Sequence, residues 1–221
     1  VTCVIPYYKE YYTVLERAVR SAYTAGCYRV MVYDDCGENN AALWLRYNGV
    51  PETPIWSNPI HLGASGARNT MIEQVITDLV ICLDADDTLR DISPLVEAWE
   101  PNTWCYGNQA EVLNECAKVI YKGAPAGSLA RKNITGVTFL FAKDDWQRVG
   151  GFDPDFAYAE DYGFQCALTH AGVQPRYVDT VVYDRYIHPE GNERTALAGQ
   201  YWSFYRDMAR RKYPNCFIGT G

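Results

Sequence analysis

The sequence predicts an α/β fold, a mixed and mostly parallel sheet flanked by helices, in a single domain spanning residues 1–221. Two observations carry this. The run Leu79-Val80-Ile81-Cys82-Leu83 is apolar, rich in branched side chains and far too short to span a bilayer. Such a run reads as a strand buried on both faces. Upstream of it, strand-like and helix-like segments alternate, which is the grammar of βαβ units and a parallel sheet. The central run leads straight into Asp84-Ala85-Asp86-Asp87. That places a cluster of acids at the C-terminal end of a buried strand, the sheet edge where ligands bind in open α/β folds.

The elements follow in order. Residues 1–5 form the first strand, stopped by Pro6. Residues 11–25 carry helical spacing in Val14, Ala18, Val19 and Ala22, with Gly26 suited to the C-terminal cap. Residues 28–33 are a second strand ending in Asp34-Asp35-Cys36-Gly37; residues 39–47 are a short helix, and 54–57 a third strand. His61 to Gly66 reads as a glycine-bearing loop before a helix over about 67–77. After Asp87 the pattern changes. A short helix over 92–99 precedes an antiparallel pair at 104–110 and 116–121. Residues 122–133 read as a loop rich in Gly, Ala, Pro and basic residues, and 136–142 as a buried strand. A short helix closes on Val149-Gly150-Gly151-Phe152, another covers 160–171, a strand 176–186 and a terminal helix 194–212.

Composition narrows the function classes. The chain is 48% hydrophobic and 21% charged, with a net charge of −7. This argues against nonspecific nucleic-acid binding and offers no basic face to anionic lipid. No apolar run approaches the roughly 20 residues of a membrane span. The eight cysteines form no C-x-x-C pair, and Cys3 and Cys82 lie within expected strands. They read as small core residues, in keeping with a soluble protein of a reducing, cytoplasmic compartment.

Three strand ends bring polar groups to one sheet edge: Pro6-Tyr7-Tyr8, Asp34-Asp35 and Asp84 to Asp87. Aromatic rings can stack on a nucleobase. A carboxylate such as Asp35 can accept an imide N–H or a ribose hydroxyl, and one member of its pair, Asp34 for instance, is expected to cap the next helix. Tyr7 and Tyr8 suit packing as well as stacking. Clustered carboxylates need a hard divalent cation or hydrogen-bond donors to hold them together. The 61–69 loop adds backbone N–H groups, including that of Gly63, and Arg68, whose fork suits a phosphate or an aspartate. Further on, Glu160-Asp161 opens a helix, where the dipole favours the carboxylate form and a general base would be ionised. His188 lies beyond the last strand and can add a nitrogen ligand to a metal begun by Asp86.

Taken together, V-I-P-Y-Y-K, V-Y-D-D-C-G, G-A-S-G-A-R-N, L-D-A-D-D, V-G-G-F-D and A-E-D-Y resemble, in order and spacing, the family 2 glycosyltransferases of GT-A fold. The resemblance runs from residue 4 to about 172, and through His188 if that residue matches a metal-completing histidine. It implies inverting transfer of a sugar from a nucleotide diphosphate sugar, a UDP-sugar before others, to a glycan, glycoprotein or glycolipid hydroxyl, assisted by Mn²⁺ or Mg²⁺. Residues 1–100 then form the nucleotide-binding half and 101–221 the half that takes the acceptor and carries the base. Pro6, Tyr7 and Tyr8 fall at the nucleobase end, Asp35 at the uracil contact, and Gly63 and Arg68 near the diphosphate. Asp84 and Ala85 match the ribose side of the D-x-D motif, and Asp86, Asp84 and His188 the metal ligands. Asp161 matches the catalytic base, with Glu160 beside it.

There are departures. Tyr7 and Lys9 replace a small residue and an Asn in the first motif, and Cys36-Gly37 replaces a small polar pair. Gln165 and Thr169 stand where many relatives carry an acid and an Arg. The Q-x-x-R-W motif and membrane helices of processive synthases are absent from the sequence. A sugar-phosphate nucleotidyltransferase would want a glycine-rich basic loop where Pro6 to Glu10 stands. A non-catalytic nucleotide-sugar or glycan-binding module is the alternative of a different class; keeping Asp84, Asp86 and Asp161 together argues against it. The chain also reads as able to be one domain of a longer enzyme.

Overall fold

The computed structural model describes residues 1–35, 40–50, 53–123, 129, 133–187 and 193–217. The first half alternates as expected: β1 (Thr2–Tyr7), α1 (Tyr12–Thr24), β2 (Arg29–Asp34), α2 (Asn40–Tyr47), β3 (Ile55–Ser57), α3 (Gly63–Glu73) and β4 (Leu79–Cys82). The second half holds β5 (Thr88–Leu89), α4 (Ser93–Ala98), β6 (Thr103–Leu113), β7 (Cys116–Ile120), β8 (Leu140–Ala142), α5 (Lys143–Val149), α6 (Glu160–His170), β9 (Gln174–Tyr186), α7 (Glu193–Gln200) and α8 (Trp202–Lys212).

One sheet runs through both halves in the order β3-β2-β1-β4-β8-β6-β9-β5, with β7 paired to β6. β1, β2, β3 and β4 are mutually parallel, as is the β6–β9 pair. β8 runs antiparallel to both β4 and β6 and so joins the two parallel groups. The mixed α/β architecture expected of the sequence is therefore present.

Period-2 alternation builds a core on each face. Cys3 and Ile5 of β1 and Ile81 of β4 pack with Leu15, Ala18, Val19 and Ala22 of α1. Val4, Val80 and Cys82 point the other way, onto Ala67, Met71 and Ile72 of α3. That is why β4 is apolar at every position and β1 from Cys3 to Pro6. Six of the described cysteines are buried and Cys116 is exposed; none is bonded to another. No helix among the described residues is long and apolar enough to cross a membrane.

Several boundaries differ from expectation. Pro6 does not stop β1, which continues to Tyr7 in register with Asp34. The ring is tolerated because β4 pairs only as far as Val4↔Cys82, so no partner needs an N–H from Pro6 on that side. The expected loop at 63–66 is instead the first turn of α3. Of the expected strand at 136–142, only Leu140–Ala142 is paired. The carbonyls of Thr135 and Gly136 accept instead from the buried amide of Gln165, at 3.0 and 3.3 Å. The terminal helix bends at Tyr201 into two pieces, while the bonds Tyr201 N–H to Leu197 and Tyr205 N–H to Tyr201 keep the backbone linked across the bend. The short β5, which pairs antiparallel with β9, gives no periodic signal at two residues. Gly107 sits at a register shift in β6, where a Cβ would lie 2.5 Å from Val182 and 2.6 Å from the Thr180 carbonyl.

Candidate active site

A cleft of about 900 Å³ opens along the C-terminal ends of β1, β2 and β4 and continues under α6, β9 and the α7–α8 bend. Its size suits a nucleotide-sized ligand. Pro6, Tyr8, Asp35, Arg68, Asp84, Ala85, Asp86, Glu160 and Asp161 all line it.

At one end the tyrosine pair divides its roles. The Tyr7 ring is buried, lies 6.1 Å from the Tyr12 ring and donates its hydroxyl to the Glu10 carbonyl at 2.8 Å. Tyr7 thus packs in the core while also lining the cleft, and Tyr8 presents an exposed ring that sits 4.4 Å from the His61 ring with the Lys9 ammonium 5.1 Å above it.

Asp35 ties this end together. Its Oδ1 accepts the Leu62 N–H at 2.7 Å, while Oδ2 accepts the Gly63 N–H at 2.8 Å and lies 2.8 Å from His61 Nδ1. Asp35 thus holds the N-terminus of α3; the residues that lead into the next helix in sequence, 36–39, where the cap was expected, lie outside the described residues. A carboxylate has about four acceptor sites, so room for a further N–H remains on Oδ1. The Gly63 N–H is spent on Asp35, and the cleft wall at this turn is Ala64.

The acidic turn after β4 is held from three sides. Asp84 faces the cleft half-exposed and accepts Arg68 Nη2 at 2.6 Å. The Asp86 carbonyl accepts Arg17 Nη2 at 2.8 Å. Asp87 is buried and accepts the Tyr186 N–H at 3.0 Å, which fastens the turn to the end of β9. Burial first, then the charges of Asp84 and Asp86, pushes the Asp87 carboxyl well above the usual range. Glu10, a cleft residue that sequence reasoning missed, is pushed up to about 7, chiefly by burial, with Asp86 and Asp84 adding to it. No periodicity or motif marks Glu10; only the turn after β1 brings it beside the acids. His188 lies outside the described residues. Among the described residues, no group of three or more His, Cys, Asp or Glu side chains is arranged to hold a metal.

Arg68 is the hinge between the halves. It lies on the buried face of α3 at 2% exposure. Nη2 reaches Asp84 and Nη1 reaches Glu160 Oε1 at 2.9 Å. Burial alone would lower its pKa, but the two carboxylates outweigh it and hold the guanidinium charged. Its neighbour Asn69 clamps the Gly-Gly-Phe turn: Nδ2 donates to the Phe152 carbonyl at 2.8 Å, and Oδ1 accepts the Phe152 N–H at 2.8 Å and Trp146 Nε1 at 3.1 Å. This turn precedes α6 and sets where its N-terminus lies.

Asp161 stands in the first turn of α6. Oδ1 accepts the Tyr162 N–H at 2.7 Å and Oδ2 accepts Asn133 Nδ2 at 2.6 Å. Burial, followed by the charge of Glu160, pushes its carboxyl up to about 6; the Asn133 and Tyr162 N–H bonds and Arg68 oppose the rise. The arrangement is a carboxylate poised near neutrality, facing an acidic turn, with a fixed cation between the two.

The family model "Glycosyl transferase family 2" matches residues 2–111. Among solved structures, the chain is similar to S. aureus TarS 1–349 at 15% identity and a TM-score of 0.62, covering 84% of this chain and 60% of that one. It is likewise similar to S. aureus TarS 1–349 in complex with UDP, at 16% identity and a TM-score of 0.64, over 86% of this chain and 61% of that one. Against S. aureus TarS the values are 16% and 0.63, over 99% of this chain and 43% of that one. The chain thus spans less than two thirds of each of these structures. A search of curated protein sequences returned no match.

Proposed function

We propose that this chain, whose residues 2–111 match the glycosyl transferase family 2 model and whose fold is similar to that of S. aureus TarS 1–349, is a family 2-like glycosyltransferase that transfers a sugar from a UDP-sugar to an acceptor hydroxyl with inversion, Asp161 acting as general base. The observation that carries this reading is that Asp161 and the acidic turn line one cleft, with Arg68 charged and buried between them. The UDP bound in the TarS 1–349 complex supports the choice of donor.

In this mechanism Tyr8 stacks on the base and the remaining acceptor site of Asp35 takes an imide N–H. Asp86 and Asp84 would hold Mn²⁺ or Mg²⁺. Their all-oxygen donor set fits a hard cation that completes its shell with water and phosphate oxygens. Burial first, and the charges of Asp84 and Asp86 after it, raise the Glu10 and Asp87 carboxyls, and a cation would offset that second contribution. Such a cation supplies charge neutralisation of the departing diphosphate. Arg68 keeps Asp84 and Glu160 in place, so Glu160 serves the scaffold and Asp161 is left to take the proton. The acceptor oxygen then attacks the anomeric carbon from the face opposite the diphosphate. Acceptor classes in keeping with the reading are a glycan, a glycoprotein or a glycolipid.

A thermal-shift panel of nucleoside diphosphates and their sugars, with and without Mn²⁺, tests the reading. Stabilisation by uridine nucleotides and dependence on metal are expected, together with UDP release that stops in Asp161→Asn. A folded protein that no nucleotide stabilises would instead behave as the glycan-binding module.

A further inference from the structure

Asn133 belongs to none of the motifs above, yet it makes one of the shortest polar contacts in the cleft. Its Nδ2 donates to Asp161 Oδ2 at 2.6 Å across 28 residues of sequence. The amide orientation follows from chemistry, because the reversed amide would set two oxygens against each other at that distance. Its Oδ1 is buried with no hydrogen-bond partner among the described residues. The strong bond of Asn133 goes to Asp161 alone. The other oxygen of Asp161 is held by its own helix, through the Tyr162 N–H at 2.7 Å. Two donors from two elements therefore fix the plane of one carboxylate and leave each oxygen a lone pair for an incoming proton.

We propose that Asn133 is the positioning residue of Asp161, fixing its rotamer and holding it as the carboxylate so that it can accept the acceptor's proton. The inference rests on Asp161 being the base. The other charged or titratable groups coupled to Asp161 are Glu160 and Cys166 on α6, Arg68 on α3 and Tyr183 on β9. Only Arg68 among these favours the ionised form, and it is already shared by Glu160 and Asp84.

The test compares the intact chain with Asn133→Leu, Asn133→Ser and Asn133→Gln. The first readout is the carboxyl ¹³C titration of Asp161, assigned by difference from Asp161→Asn, which needs no turnover. Loss of a charge-assisted hydrogen bond should raise the midpoint by about 1 pH unit in Asn133→Leu. Asn133→Ser, which keeps a donor, should recover part of that shift. The second readout is UDP release from UDP-sugar with Mn²⁺: the acidic limb of kcat should move with the midpoint while the donor KM stays put. An unchanged midpoint in folded Asn133→Leu, or a change in donor KM without one in kcat, overturns the proposal. If Asn133→Leu does not fold, Asn133→Ser and Asn133→Gln decide it by the same midpoint. If the wild-type chain releases no UDP, the transferase reading fails, and the titration alone still answers whether Asn133 controls Asp161.

Discussion

The guanidinium of Arg68 donates to Glu160 at 2.9 Å over 92 residues of sequence, while its other terminal nitrogen holds Asp84 at 2.6 Å. One buried cation thus sets the distance between the turn that carries the acidic cluster and the helix that carries Asp161.

Removing that cation takes the buried guanidinium away from two carboxylates at once. Arg68→Met is expected to cost about 3–5 kcal/mol, read as a lower midpoint in urea unfolding at pH 7.5. Arg68→Lys recovers only part of this, because an ammonium cannot match a planar fork to two carboxylates. Equal stability of Arg68→Met and wild type would show that the pair is not structural.

Asp161→Asn should lower the rate of sugar transfer by about 10²–10⁴-fold, the usual contribution of a general base. Uridine nucleotide binding, measured by calorimetry, should be unchanged, since Asn133 and Tyr162 still find a side-chain partner. A variant that keeps its rate would remove Asp161 from the mechanism.

The pH dependence follows from the same group. The base must be ionised, so kcat is expected to rise with pH through about 6, where burial and Glu160 have placed the Asp161 carboxyl. Stability has the opposite sign. A carboxyl raised on folding from 3.8 to about 6 favours the fold most at low pH, and that advantage is lost as pH rises through 6. Asp161→Asn should therefore raise Tm at pH 7.5 relative to wild type, with the difference vanishing below about pH 4. A lower Tm for Asp161→Asn at pH 7.5 would contradict this sign.

The Asn69 clamp predicts a second kind of defect. Gly151 has φ +80°, and a Cβ there would lie 2.6 Å from Asn69 Oδ1 and 2.9 Å from Trp146 Nε1. Gly151→Ala is expected to destabilise by more than about 1 kcal/mol through both the backbone and the clash. Asn69→Ala should cost about 2–3 kcal/mol by stranding the Phe152 backbone. A double-mutant cycle should give less than the sum of the two, because both act on the same turn.

At the nucleobase end, Tyr8→Ala should weaken uridine nucleotide binding by about 1–3 kcal/mol, the worth of one stacking ring. Tyr7→Phe should leave affinity unchanged and lower only stability, because it loses a hydroxyl bond to the Glu10 carbonyl. Titration calorimetry on the two variants distinguishes platform from packing.

Much of this protein was readable in one dimension. The apolar run before Asp84, the tyrosines closing β1, the acids closing β2 and β4, and the Glu160-Asp161 helix start are local patterns. Strand burial and parallel order follow from period and alternation, and parallel strands present equivalent ends on one side. The sequence alone thus determined the α/β class and the sheet edge along which the cleft opens. What only the tertiary structure decided was which polar group spends itself on which neighbour. Asp35 is bound to the start of α3, Asp87 is fastened to β9, and Tyr7 is buried at the cleft floor while Tyr8 is exposed. Glu10 and Asn133 enter the site from turns with no periodic signal. The physical reason is that a hydrogen bond or ion pair across 27 to 99 residues depends on where the chain returns in space. Local propensity carries no record of that return, and packing of the two apolar faces of the sheet settles it.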